Sequence, residues 1–360
     1  MTKLGNFSPK RRAFLGFAGV GLASALLASC ATPNGGTAPT DNASAPAADL
    51  PPVEITLSSY AVAKPVFEQL IPEFQKYWQE EKGQTVTFKE SYGPSGQQSR
   101  AIIEGFEADV LAQNLETNVT SLVDAGLVSE DWATRLPNNA SPATTVMALV
   151  VRPGNPKNIE SWSDLARDGV GIVAINPKTS GNARWGVLGG FGSTLKADGD
   201  GAAQAYLDGL VRNIQVLESG GREATDAFVT QGIGDVMVNF ENEIIFTNQV
   251  QGETIPYVVP TSNVSVDFPV TVIDSVVDAR GTREVAEAFA EFLFTPVAQE
   301  IYAKAGYRPI DEAVLAAHAS QYGAVDTFYT PADFGGWKEI NSLLFADGAL
   351  FEQSQAKVQR

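Results

Sequence analysis

The chain is predicted to fold as an α/β protein of two lobes, each a helix-covered and mostly parallel sheet, and three observations predict this. Short runs of β-forming residues alternate with segments of helical period along the sequence. Glycine turns recur at strand–helix junctions, at Gly93-Pro-Ser95-Gly96, Thr179-Ser180-Gly181 and Ser219-Gly220-Gly221, where open α/β sheets bind their ligands. Beyond the N-terminal region about 300 residues remain, and 44% of the chain is hydrophobic, enough for two lobes of ordinary domain size.

Residues 1–29 read as a targeting segment: a basic stretch with Lys10, Arg11 and Arg12, a short apolar run from Gly16 to Leu27, then Leu27-Ala-Ser-Cys30. The run is short for a bilayer span. The segment resembles a bacterial lipoprotein signal of the twin-arginine type, which implies that Cys30 is the acylated first residue of the mature chain. Residues 31–52 are rich in Ala, Pro, Thr, Asn and Gly, with almost nothing large to bury, and are expected to form a tether. The whole chain carries a charge of −17; the first 29 residues hold four positive and no negative side chains, which leaves the mature part at −21. Such an acidic chain is a poor nucleic-acid binder, yet a small anion can sit where local dipoles outweigh the net field. With Cys30 the only cysteine, intramolecular disulfides, thiolate metal sites and a cysteine nucleophile are excluded.

The folded part opens with the strand pattern Val53 to Leu57 and a helix carrying Val66, Phe67, Leu70, Ile71 and Phe74 at helical spacing. A strand, Thr85 to Phe88, leads to Ser95 and a helix with Ile102, Ile103 and Phe106. Asp131-Trp132 to Pro137 reads as a surface connection, and Thr144 to Val151 as one near-continuous apolar strand buried on both faces. The central stretch, Gly171 to Trp185, runs a short strand into Pro177 and a helix beginning near Ser180-Gly181. Ser180 there either caps its helix or, with the free N–H groups and the positive dipole end, helps to hold an oxyanion. Further strands follow at Gln215 to Leu217, Asp235 to Val238, Tyr257 to Val259 and Val270 to Ile273, then helices from Arg283 to Phe294 and Pro296 to Ala305.

The runs Pro94-Ser-Gly-Gln-Gln98, Arg152-Pro-Gly-Asn-Pro-Lys157, Asn176 to Arg184, Ser219-Gly-Gly-Arg222, Gly232-Ile-Gly-Asp-Val236 and Glu241-Asn-Glu243 resemble, in order, the sulfate/thiosulfate solute-binding proteins of ABC importers. The resemblance implies the two-lobed periplasmic-binding-protein fold of type II, with lobe 1 formed by 53–140 plus 241–312, lobe 2 by 141–240, and a helical segment 313–360 packed on the lobes. The anion is then held in the cleft by neutral donors, from Ser95 in one lobe and Ser180, Gly181 and Asn182 in the other, with Gly221 a further main-chain donor. Ala61 stands where sulfate binders carry an aspartate used only through its N–H, Asn182 where glycine is more usual, and Phe240 where they offer a tryptophan indole. The last departure loses an N–H and looks closer to the thiosulfate branch. The implied partners are sulfate or thiosulfate, the permease and ATPase subunits of an importer, and the membrane through Cys30. The chain is then a non-enzymatic monomer without cofactor or metal, on the periplasmic face of the cytoplasmic membrane; a binder of another tetrahedral oxyanion or an anion sensor are the alternatives.

Lys178, Arg184 and Arg222 are expected to brace the turns or pair with Glu218, Glu223 or Glu241 rather than touch the anion. A serine hydrolase is the competing class. Gly93-Pro-Ser95-Gly96 lacks the spacing of a nucleophile elbow, and the single imidazole, His318, sits among alanines and reads as a surface residue.

Overall fold

The computed structural model describes residues 50–252 and 254–358. The expected signal segment, Cys30 and nearly all of the tether lie outside the described residues. The chain runs through β1 (Leu50–Tyr60), α1 (Lys64–Lys82), β2 (Gln84–Gly93), α2 (Ser95–Ile103), β3 (Val110–Ala112), α3 (Glu116–Asp124) and the short turn α4 (Pro137–Ala140). It continues with β4 (Ala143–Thr145), β5 (Met147–Val151), β6 (Ile172–Ile175), α5 (Gly181–Asp198), α6 (Asp200–Arg212), β7 (Ile214–Glu218), α7 (Gly221–Thr225), β8 (Val236–Phe240) and α8 (Glu241–Gln251). The remainder is β9 (Tyr257–Val258), β10 (Ser262–Val264), β11 (Val266–Asp267), β12 (Val270–Val272), α9 (Asp274–Arg280), α10 (Arg283–Phe292), α11 (Pro296–Lys304), β13 (Arg308–Pro309), α12 (Glu312–Ala317), β14 (Thr327–Tyr329), α13 (Trp337–Ile340) and α14 (Leu350–Val358).

Two sheets dominate. The first has the order β12-β3-β1-β2, the second β7-β6-β8-β5-β9. In each the centre is parallel, β3-β1-β2 and β7-β6-β8, and antiparallel strands are added at one side. Strand β1 starts at Leu50, earlier than the composition suggests, and its register against β2 shifts between Leu50 and Val53. Pro51 and Pro52 in that gap have no N–H to give the ladder.

Helix α1 buries Val66, Phe67, Leu70, Ile71, Phe74 and Trp78, a stripe at the 3.6-residue period whose members are each worth about 1.5–3 kcal/mol when removed from water. Phe74 sits edge-on to Phe88 and Phe289, which joins α1, β2 and α10. At the base of the first sheet the buried Asp109 accepts the Thr56 N–H at 2.6 Å and pairs with Arg280.

Two expectations need correction. The apolar run from Thr144 to Val151 is two strands in two sheets: Val146 leaves both ladders and gives its carbonyl to the Glu241 N–H at 2.9 Å. β5 is buried throughout, but it pairs antiparallel with both neighbours. The chain enters the second sheet directly from β4, without the helical crossover that makes neighbours parallel. Trp132, read as part of a surface connection, is only 6% exposed and packs with Ile102, Leu111, Val119 and Leu122. Its large apolar ring closes the space beneath α2 and α3.

Candidate functional site

The glycine turns converge. Ala61, Ser95, Ser180, Asn182 and Gly221, five of the seven expected positions, line one small cavity together with Tyr60 and Asn114, and no lining residue is charged. The residue types are those a desolvated anion requires: N–H and O–H donors without a counter-charge.

Each donor has a local reason for its place. Ser180 is at the N-cap position of α5, but its hydroxyl caps nothing, and its N–H is taken by the Asn176 carbonyl at 3.0 Å. The hydroxyl is therefore not spent on its own helix. Asn182 is the second residue of α5 and Gly221 the first of α7, positions whose N–H groups have no acceptor within the helix and stand at its positive end. Ser95 opens α2, where Gln98 accepts from Ser58 at 2.7 Å and Ser91 at 3.1 Å and so fixes the turn to β1 and β2.

Gly181 acts differently from the expectation. Its N–H goes to Ser95 Oγ at 2.8 Å, so it reaches the cavity through that hydroxyl, which keeps its own hydrogen to donate. A Cβ at Gly181 would stand 2.4 Å from Asn114 Oδ1 and 2.8 Å from Leu115 Cβ. Two further bonds join the same elements: the Gly96 N–H donates to Thr179 O at 3.2 Å, and Trp185 Nε1 donates to Asn114 O at 2.6 Å.

Phe240 does not line the cavity. It is fully buried, with its ring edge-on to Phe268, which in turn stacks on Tyr60. Its backbone N–H donates to Asn239 Oδ1 at 2.8 Å. Asn239 is one of two residues that sequence reasoning missed. Its Oδ1 also accepts from Asn182 Nδ2 at 2.7 Å, and its Nδ2 donates to Gly221 O and Thr225 Oγ1, joining both second-sheet turns. The signal was an asparagine within the apolar strand Val236–Phe240. Asn114, at the cavity wall, is the other; its buried Oδ1 has no partner, and the same amide turned end for end presents N–H instead. No sequence pattern marks it.

The cations brace, but with other partners than expected. Lys178 pairs with Asp347 at 2.9 Å and Glu352 at 2.8 Å, Arg222 with Glu243 at 3.1 Å, and Arg184 donates to Pro177 O and Asn341 Oδ1. Glu241 takes Arg308 instead, at 2.8 Å. Most of these partners belong to the C-terminal segment, distant in sequence. Burial pushes the Glu243 carboxyl up to about 7. His318 is half-buried at the surface, bonded to Glu300 at 3.1 Å, and takes no part in the cavity. No cluster of three or more His, Cys, Asp or Glu able to hold a metal occurs among the described residues.

A family model for bacterial extracellular solute-binding protein matches residues 55–308. The chain is 42% identical to a sulfate-binding protein of Synechococcus elongatus, over 97% of each chain. It is 41% identical to a thiosulfate-binding protein of Pseudomonas aeruginosa, over 82% of this chain and 90% of that one. Among solved structures, the sulfate-binding protein SubI from Mycobacterium tuberculosis is 34% identical, with a TM-score of 0.74, covering 81% of this chain and 99% of the other.

Proposed function

The chain belongs to the bacterial extracellular solute-binding protein family, and on that premise we propose that it captures sulfate or thiosulfate and delivers it to an ABC importer. The observation that carries this reading is the uncharged cavity in which donors from α2, α5 and α7 converge. A dianion stripped of water needs every oxygen bonded, and each charge-assisted hydrogen bond contributes about 1.5–3 kcal/mol. Ser95, Ser180, Asn182 and Gly221 supply donors directly, and Gly181 through Ser95. Relatives named for sulfate and for thiosulfate are equally similar, at 42% and 41% identity, so the ligand is proposed as a class. A wall rich in main-chain N–H donors, where the Ser95 hydroxyl already accepts from Gly181, favours a fully deprotonated oxyanion over one that keeps a proton.

The site lies between a lobe built on the first sheet and one built on the second, and the bonds from Gly181 to Ser95 and from Gly96 to Thr179 hold them together around it. Acylated Cys30 anchors the chain to the outer face of the cytoplasmic membrane, and the tether lets it reach the permease. Calorimetric titration with sulfate, thiosulfate, molybdate and phosphate tests the reading. Stoichiometric binding of sulfate or thiosulfate, with phosphate excluded from this cavity at neutral pH, is expected. An absence of sulfur-oxyanion binding, or turnover of a sulfate or phosphate ester, would sink it.

A further inference from the structure

A second cavity, of about 230 Å³, adjoins the first and shares Ser180 with it. It lies between α2, the start of α3 and the turn from Pro177 to Arg184, and its wall holds Arg100, Lys178 and Arg184 but no carboxylate. In a chain of net charge −17, that is a pronounced local reversal of sign. Lys178 is neutralised by Asp347 and Glu352. The two arginines meet no carboxylate among the described residues: Arg184 is held by the Pro177 carbonyl and the Asn341 side chain, and Arg100 faces it closely enough to depress its basicity, after burial. Two hydroxyls on the same wall are unpartnered, Ser99 Oγ and Thr117 Oγ1, and Ser99 is only 3% exposed. Buried hydroxyls are normally hydrogen-bonded, and a ligand or an ordered water completes these two.

We propose that this cavity is a second oxyanion site, distinct from the first, uncharged one in its ligand range. Guanidinium groups bind tetrahedral oxyanions through paired N–H donors. Unlike backbone N–H groups, the Ser99 and Thr117 hydroxyls both donate and accept. This site therefore takes hydrogen phosphate as well as sulfate, whereas the first favours a fully deprotonated anion. Open to solvent and charged, it is the weaker of the two and loses affinity as salt rises.

Two titrations of the full chain test this, one with inorganic phosphate and one with selenate as a sulfate mimic that also scatters anomalously in crystals. Phosphate is expected to bind in one weak phase and selenate in two, with a second anomalous peak between Arg100 and Thr117. Arg100→Gln or Thr117→Val should weaken phosphate binding, the arginine variant by about tenfold or more through loss of charge-assisted bonds, while the first selenate phase stays within about twofold. Ser95→Ala should weaken that first phase and leave phosphate binding alone. Phosphate that fails to bind, or that binds equally well to the Arg100 and Thr117 variants, overturns the second site without touching the first. Loss of the first selenate phase alone would count against the proposed function instead.

Discussion

Ser95 and Ser180 occupy similar sequence contexts, each a serine before a glycine at a strand–helix junction, yet the fold gives them different duties. Ser180→Ala removes a hydroxyl that caps nothing. It should leave the unfolding free energy nearly unchanged and weaken anion binding by about 1.5–3 kcal/mol. Ser95→Ala removes a donor and also strands the Gly181 N–H, so its loss of affinity should be the larger of the two; equal losses by calorimetry would contradict the relay. Phe240 carries a different expectation from the one its sequence position suggests. Its ring packs on Phe268 inside the core, so Phe240→Leu should lower stability by roughly 1–2 kcal/mol and leave the ratio of sulfate to thiosulfate affinity unchanged. A changed ratio would place the ring at the ligand after all.

The start of α5 shows how an element is fitted to its site. Glycine in a helix is ordinarily a weakness, and replacing it by alanine gains up to about 1 kcal/mol of helix propensity. At Gly181 the added methyl would run into Asn114 and Leu115, which belong to the element facing it across the site. Gly181→Ala should therefore bind the anion more weakly by about tenfold or more, the cost of overpacking. Its thermal midpoint should be no lower than that of the parent, since the facing elements can move apart. A variant that unfolds more easily but binds normally would show that the glycine serves the helix rather than the approach. The elements themselves were largely legible. Alternation of strand and helix, and the stripe on α1, follow from local periodicity alone. The division of Thr144–Val151 between two sheets was not, because one apolar run reads the same whether one ladder or two receive it.

Across the whole molecule, two carboxyls, one buried and one half-buried, link stability to pH. Burial pushes the Glu243 carboxyl up to about 7 and the Asp267 carboxyl up to about 6, both above the ordinary carboxylate range. Between those limits the folded chain binds more protons than the unfolded one, so the stabilisation is complete at low pH and is lost as pH rises through the folded values. At about 1.4 kcal/mol per unit, denaturant unfolding should show a fall of roughly 2–4 kcal/mol from pH 5 to pH 8. Glu243→Gln should remove about two-thirds of that fall; a flat or rising profile in the parent would refute the assignment.

By itself the sequence determined the α/β class and the three glycine turns, because each rests on local pattern, the period and the turn residues, while the neutral donors are what its resemblance to the sulfate/thiosulfate binders implies. That resemblance marked Ser95, Ser180, Asn182, Gly221 and Ala61, which the fold gathers round one cavity. The tertiary structure alone decided that Gly181 acts through Ser95, that Asn239 joins two turns, that Phe240 turns into the core, and that Lys178 and Arg184 are held by residues more than 150 positions away. These are contacts between segments far apart in sequence. Nothing in a local window encodes them, since side-chain direction and ion-pair choice are settled only when the two sheets and the C-terminal segment pack against one another.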